Sequence, residues 1–259
     1  MSLFEKVSRK LRGPLMWPRY RRYLAGIKDD HALHGLPSRL IGNASADPAE
    51  FFTHYPAFAY WVSDKVASRG GRLRLLDLGS VKMMNAMLSA SHDVTSMVLS
   101  DCGDSISQVC YVRHDVADPL PFPDASFDVF TSTATLPLLG LGRYGDRQDP
   151  DCLPRLIGEL GRVMTLDADL IVSMSLGKNL LNFNNSWILD LPTTERLFYG
   201  WRLVDHLVDT ASSPRIKSAG SINRFTRDAN VDDMSNGDYR VVFLHFRRAA
   251  LMYANEPGS

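Results

Sequence analysis

The sequence is short of cysteine, has no net charge and contains no long apolar run. Each shortage narrows what the chain can be. Its three cysteines, Cys102, Cys110 and Cys152, show no paired spacing. An odd count without a C-x-x-C argues against a disulfide framework or a cysteine zinc site, and fits a reducing compartment. His31 and His34 lie three apart, but no carboxylate completes a ligand set at helical spacing, so no metal site is expected. Basic and acidic residues number 29 each, so bulk charge favours no nucleic-acid partner. No apolar stretch approaches the length of a bilayer span. No apolar core with a small-residue cleavage site opens the chain, so a cytoplasmic protein is expected.

The zero balance hides an uneven distribution. Residues 1–28 carry Lys6, Arg9, Lys10, Arg12, Arg19, Arg21, Arg22 and Lys28 against Glu5 alone. Leu3, Val7 and Leu11 would share one helix face, while Pro14 and Pro18 break any long helix. Two readings stand: peripheral attachment to an anionic membrane face or a partner, or a solvated leader packed loosely on the domain. Punctuation at Gly35, Pro37, Gly42 and Asn43 reads as a linker, which divides the chain into a leader and linker over 1–48 and one domain over 49–259.

Beyond the linker, helical and extended patterns alternate. A helix rich in aromatics is expected from Ala49 to Ser68, ended by Gly70-Gly71. Buried strands are read at Leu73–Gly79, Val94–Leu99, Tyr111–Asp115, Ser126–Ser132 and Leu170–Ser175, with a helix over Leu153–Val163. Trp201–Val208 and Tyr239–Phe246 read as a closing pair that forms an antiparallel edge hairpin. This pattern predicts an α/β fold, a doubly wound and mostly parallel sheet of seven strands.

In such sheets ligands lie beyond the carboxyl ends of the strands. Four features fall there. Asp77, with Gly79 and Ser80, closes the first strand; it either holds a cationic amino group or orients the loop. Asp101 closes the second and suits a ribose diol, with Asp104 as a rival. Asp115-Val116 follows the third and suits an adenine amine, with Asp118 nearby. Ser132 ends the fourth.

In that order, with the run Asp115–Phe130 and the segment Glu159–Met164, the chain resembles the class I S-adenosylmethionine-dependent methyltransferases. The heptad Gly140-Leu141-Gly142-Arg143-Tyr144-Gly145-Asp146, Asp149–Asp151 and Phe183-Asn184 resemble, more narrowly, a bacterial group catalogued as domain of unknown function 268. The resemblance covers about Arg72 to Asp209. It implies a methyltransferase-like Rossmann fold over 49–259, S-adenosyl-L-methionine as cofactor, and cofactor contacts at Asp77, Gly79, Ser80, Asp101, Asp115, Val116 and Ser132. The chain departs from the family at Val81 and Met83, where glycines are usual, and at Leu136-Pro137, where many relatives carry Glu-His. It also has Thr165–Asp169 in place of the usual Lys-Pro-Gly-Gly turn.

Methyl transfer to oxygen asks for a base near the acceptor hydroxyl, or for positioning alone. Asp146 is the first candidate for the base and His54 the second, while Arg143, Tyr144 and Asn184 are candidates for the acceptor. In the alternative, Arg143 pairs with Asp146 in a structural turn. The leading expectation is O-methylation of a sugar, glycan or other small hydroxylated acceptor, since relatives are associated with bacterial surface polysaccharides. The competing one is a non-catalytic methyltransferase-fold partner or scaffold. No nucleic acid is expected as substrate.

Overall fold

In the computed structural model of the protein, residues 16–40, 54–100, 108–210, 225–228 and 238–249 are described. Within them, residues 16–25 form helix α1. Strand β1 is Ser38–Leu40, helix α2 Tyr55–Arg69, β2 Arg74–Leu78 and α3 Lys82–Ser89. Then come β3 Asp93–Val98, β4 Val109–Arg113, β5 Phe127–Thr133, α4 Cys152–Val163 and β6 Met164–Gly177. A small hairpin, β7 Leu180–Phe183 and β8 Ser186–Ile188, precedes α5 Leu191–Leu197, β9 Trp201–Asp209, β10 Phe225–Thr226 and β11 Tyr239–Arg248.

The main sheet runs in the order β10-β9-β11-β6-β5-β2-β3-β4. Strands β4, β3, β2, β5 and β6 are parallel, and β11 lies antiparallel between β6 and β9. The chain runs outward from β2 through β3 to β4, then returns to β5 on the other side of β2. That reversal opens a crevice at the carboxyl ends of β2 and β5. The expected edge hairpin is the β9–β11 pair. The sheet has eight strands instead of seven because β10 adds an edge, where Phe225 stacks on Phe243 at 4.2 Å.

Side chains alternate across the sheet because successive residues of a strand face opposite ways. Leu75, Val129, Ile171 and Phe243 point to one face, where α2 buries Phe58, Trp61, Val62 and Val66. Leu76, Phe130, Leu170, Val172 and Leu244 point to the other, where α4 lays down Leu153, Leu156, Ile157 and Leu160. The 3-4 spacing in α4 makes a single apolar stripe. Helix α2 carries Pro56 in its first turn, where no backbone donor is lost, and stops at Gly70 with φ 67°. Helix α4 passes directly into β6 at Met164, so the expected turn over Thr165–Asp169 does not form.

Residues 16–40, the described part of the expected leader and linker, are packed on the domain. Tyr20, Tyr23 and Leu33 are buried, and Tyr20 and Tyr23 lie against Phe183. Strand β1 pairs in parallel with β7 and completes a second sheet, β1-β7-β8. Aromatic area, more than charge, decides the fate of this stretch. The expected face of Leu3, Val7 and Leu11 lies outside the described residues, as does Asp101.

At the opposite end from the crevice, one buried carboxylate ties three elements. Asp169 of β6 accepts from Arg69 at 2.9 Å, His245 at 2.8 Å and Arg247 at 3.0 Å. Burial pushes its pKa up, but the bonds from His245, Arg69 and Arg247 prevail and hold it below the ordinary carboxylate range. A depressed folded-state value means that the stabilisation is complete above the unfolded pKa. It is lost as pH falls through the folded one. Asp169→Asn should therefore lower the unfolding free energy by about 3–5 kcal/mol near neutral pH, read by urea titration. The gap to the parent protein should narrow in acid; a gap independent of pH would show that the charge is not what stabilises.

Candidate active site

The loop after β2 is organised by Asp77, which is fully buried. Its Oδ1 accepts from Thr131 Oγ1 of β5 at 2.9 Å. Its Oδ2 accepts from Asn85 Nδ2 of α3 at 2.8 Å, Ser96 Oγ of β3 at 3.1 Å and the Ser80 amide at 3.3 Å. Burial pushes this carboxyl up, against the pull of those four donors. Gly79 turns the loop with φ 71°, and a Cβ on it would meet Thr135 Oγ1 at 2.3 Å. Only glycine fits there. Ser132 is buried and donates to Leu78 O, and Thr133 Oγ1 donates to Ser80 Oγ at 3.0 Å.

Beside this loop, at the tips of β5 and β6, lies a cleft of about 200 Å³. His54 and Tyr55 reach it from the start of α2, and Ala134, Pro137 and Leu138 from the segment after β5. Met174 and Ser175 come from β6, Asn185 and Ser186 from the β7–β8 turn and strand, and Tyr239 and Val241 from β11. Arg143 and Tyr144 complete the wall. The His54 and Tyr55 rings meet edge to face at 4.4 Å. Burial pushes the Tyr55 phenol up, so it stays protonated and able to donate.

The heptad is a built loop. Gly140, Gly142 and Gly145 all have positive φ. A Cβ on Gly140 would meet Asp149 O at 2.0 Å, and one on Gly142 the side chain of Gln148 at 2.8 Å. Asp146 accepts from the amides of Gly142 at 3.0 Å and Tyr144 at 3.1 Å. Arg19 donates to Gly142 O at 3.2 Å. His31 accepts from the Leu33 amide at Nδ1, so its Nε2 carries the proton that goes to Pro150 O at 2.7 Å.

The sequence candidates separate accordingly. Arg143, Tyr144 and His54 come together in the cleft. Asp146 does not join them as a base: both its oxygens serve its own loop. Nor does Arg143 pair with it, since Arg143 Nη1 donates to Asn185 O at 3.1 Å and Asn185 Oδ1 at 3.0 Å. Asn184, with φ 64°, is a hairpin turn residue, and its neighbour Asn185 lines the cleft in its place. Asp77 orients the loop; with four internal donors it does not face a ligand. Ser132 is likewise internal, and Val116 is buried in the core. Asp115, at the tip of β4, accepts from the Ala117 amide at 3.0 Å and is half-buried. Met83 is 74% exposed on α3 and plugs nothing. Sequence reasoning missed Tyr239, which the register of β11 against β6 brings to the cleft beside Tyr55.

No family model matches the chain, and among curated proteins none matches it. Solved structures do. An S-adenosylmethionine-dependent methyltransferase from Thermotoga maritima aligns over 90% of this chain and 97% of its own, with a TM-score of 0.51 at 12% identity. The (4+2)-cyclase SpnF aligns over 94% and 96%, with a TM-score of 0.50 at 18% identity. The chain has the class I methyltransferase fold. At these identities the likeness speaks for the fold alone.

A nucleoside cofactor in such a fold would lie at the strand tips, where Gly79, Ser80 and Asp115 are the described residues that would meet it. The tips of β2, β3 and β4 are neighbours, about 10 Å across three strands, a span suited to a nucleoside. Gly79–Ser80 and Asp115 stand at its two ends, with no bulky side chain from Met83 over the first. That placement depends on the loop that Asp77 holds. Asp77→Asn would replace one accepting oxygen by an NH2 donor inside this set of donors, and should cost about 1–3 kcal/mol in unfolding free energy by urea titration. A variant as stable as the parent would show that the four bonds do not organise the loop.

Proposed function

We propose that the protein is an S-adenosylmethionine-dependent methyltransferase that methylates a hydroxyl of a small acceptor, a sugar or glycan unit, bound in the cleft. The observation that carries this reading is a cleft beside the Asp77–Gly79 loop, at the switch in strand order. The strand tips suited to a nucleoside stand next to this cleft, which is lined by His54, Tyr55 and Arg143. S-Adenosylmethionine, when bound, supplies an electrophilic methyl group on sulfur. Gly79, Ser80 and Asp115 would hold it, with Asp101 assigned to the ribose by sequence position. The acceptor hydroxyl must lose its proton as its oxygen takes the methyl group. His54 receives that proton, and Tyr55 and Asn185 fix the acceptor by hydrogen bonds. The glycan class rests on the resemblance of the Gly140–Asp146 heptad to the bacterial domain-of-unknown-function 268 group. The basic stretch over 1–28 would then bring the protein to an anionic membrane face, where lipid-linked glycans reside.

A second reading has its own support. Thr135 closes the side of Gly79 on which a Cβ would project, and Leu136-Pro137 gives the cleft no titratable pair. In this reading the protein is a non-catalytic partner or scaffold.

Calorimetry with S-adenosylhomocysteine separates the two. Binding at micromolar to millimolar concentration is expected, and a folded protein that shows no heat at millimolar ligand supports the scaffold. His54→Gln should leave that affinity unchanged and lower kcat by roughly 10²–10⁴ on an accepted substrate. Removal of residues 1–15 should reduce sedimentation with anionic liposomes; equal sedimentation would remove the membrane role.

A further inference from the structure

We infer that the cleft takes an acidic acceptor, a hydroxylated molecule whose carboxylate or phosphate docks side-on against Nε and Nη2 of Arg143. This rests on the reading of the cleft as the acceptor site. The guanidinium is pre-set in two ways. Nη1 donates to Asn185 O at 3.1 Å and to Asn185 Oδ1 at 3.0 Å. One face lies over the Tyr144 ring, 5.2 Å from its centroid. This leaves the Nε–Nη2 edge, the two-pronged donor that matches two oxygens of an oxyanion.

The charge of Arg143 has no counter-ion among the described residues. Among the described residues no carboxylate lines the cleft, and the nearest acid in its loop, Asp146, is turned back onto two amides. The rest of the wall is largely apolar or aromatic, including Pro137, Leu138 and Met174. Coulombic attraction is stronger in such surroundings than in water. A neutral sugar would cover the guanidinium without compensating it; an acidic one supplies the missing charge. The loop is held at two points, by Asp149 N donating to Gly140 O at 2.9 Å and Arg19 donating to Gly142 O at 3.2 Å. The ordering of the binding group is therefore largely complete before the ligand arrives.

The test is calorimetry on the full chain with D-glucuronate, D-glucose 6-phosphate and D-glucose. At least one acid should bind at millimolar concentration or tighter and about tenfold more strongly than glucose, a difference of about 1.4 kcal/mol. Whichever acid prevails identifies carboxylate or phosphate as the source of the charge. Arg143→Ala should erase the preference. Arg143→Lys, which keeps the charge but loses the fork, should weaken the acid severalfold and leave glucose unchanged. Equal affinity for acid and glucose, no binding of either acid, or undiminished acid binding by a folded Arg143→Ala protein would each overturn the proposal. S-Adenosylhomocysteine is titrated separately. Acid binding without cofactor binding sinks the methyltransferase reading and keeps this one, and the converse result does the reverse.

Discussion

The carboxylate of Asp77 is the point on which the functional edge of this fold depends. It takes hydrogen bonds from β3, β5, α3 and its own loop, and so joins the tips of three neighbouring strands to the helix behind them. A buried charge is tolerable only when its lone pairs are met, and here four donors meet them. Gly79 follows two residues later with a backbone no other residue adopts cheaply, so the direction of the loop is set twice over. The crevice at the switch in strand order owes its shape to these two residues before any ligand is considered.

Asp169 plays the matching part at the far end of the sheet. It joins β6 to β11 and to the end of α2 through two guanidiniums and an imidazole, where Asp77 uses amides and hydroxyls. The difference matters for electrostatics. Cationic partners depress a carboxyl, whereas the burial of Asp77 among neutral donors leaves its carboxyl raised.

Much of the fold is legible from residues alone, because strand runs such as Leu75-Leu76 and the 3-4 stripe of α4 carry periodicities that packing enforces. The site is legible only in part. The sequence places Asp77 at a strand tip, but its donors lie 8, 19 and 54 residues away and converge only in three dimensions. Asp146 resembles a base because it is an acid in a glycine-rich loop. The same glycines expose amides that need an acceptor, and the closest carboxylate serves them. Asn184 resembles a ligand contact, yet short amides are also the side chains that best tolerate positive φ, and the turn claims it. Met83 stands where a glycine is usual, but the helix that begins at Lys82 turns it outward. The aromatics at 17–23 are masked in the sequence by the basic residues around them.

Arg143 stands in a loop whose supports come from far upstream. Arg19 holds Gly142 across 123 residues, and His31 holds Pro150 across 119. Selectivity in this cleft is accordingly not portable as a single segment. A chimera that exchanged only residues 140–151 with a relative would import a loop without its anchors. One meant to change acceptor preference must carry residues 16–40 along with it, so that the two stretches diverge as a linked pair.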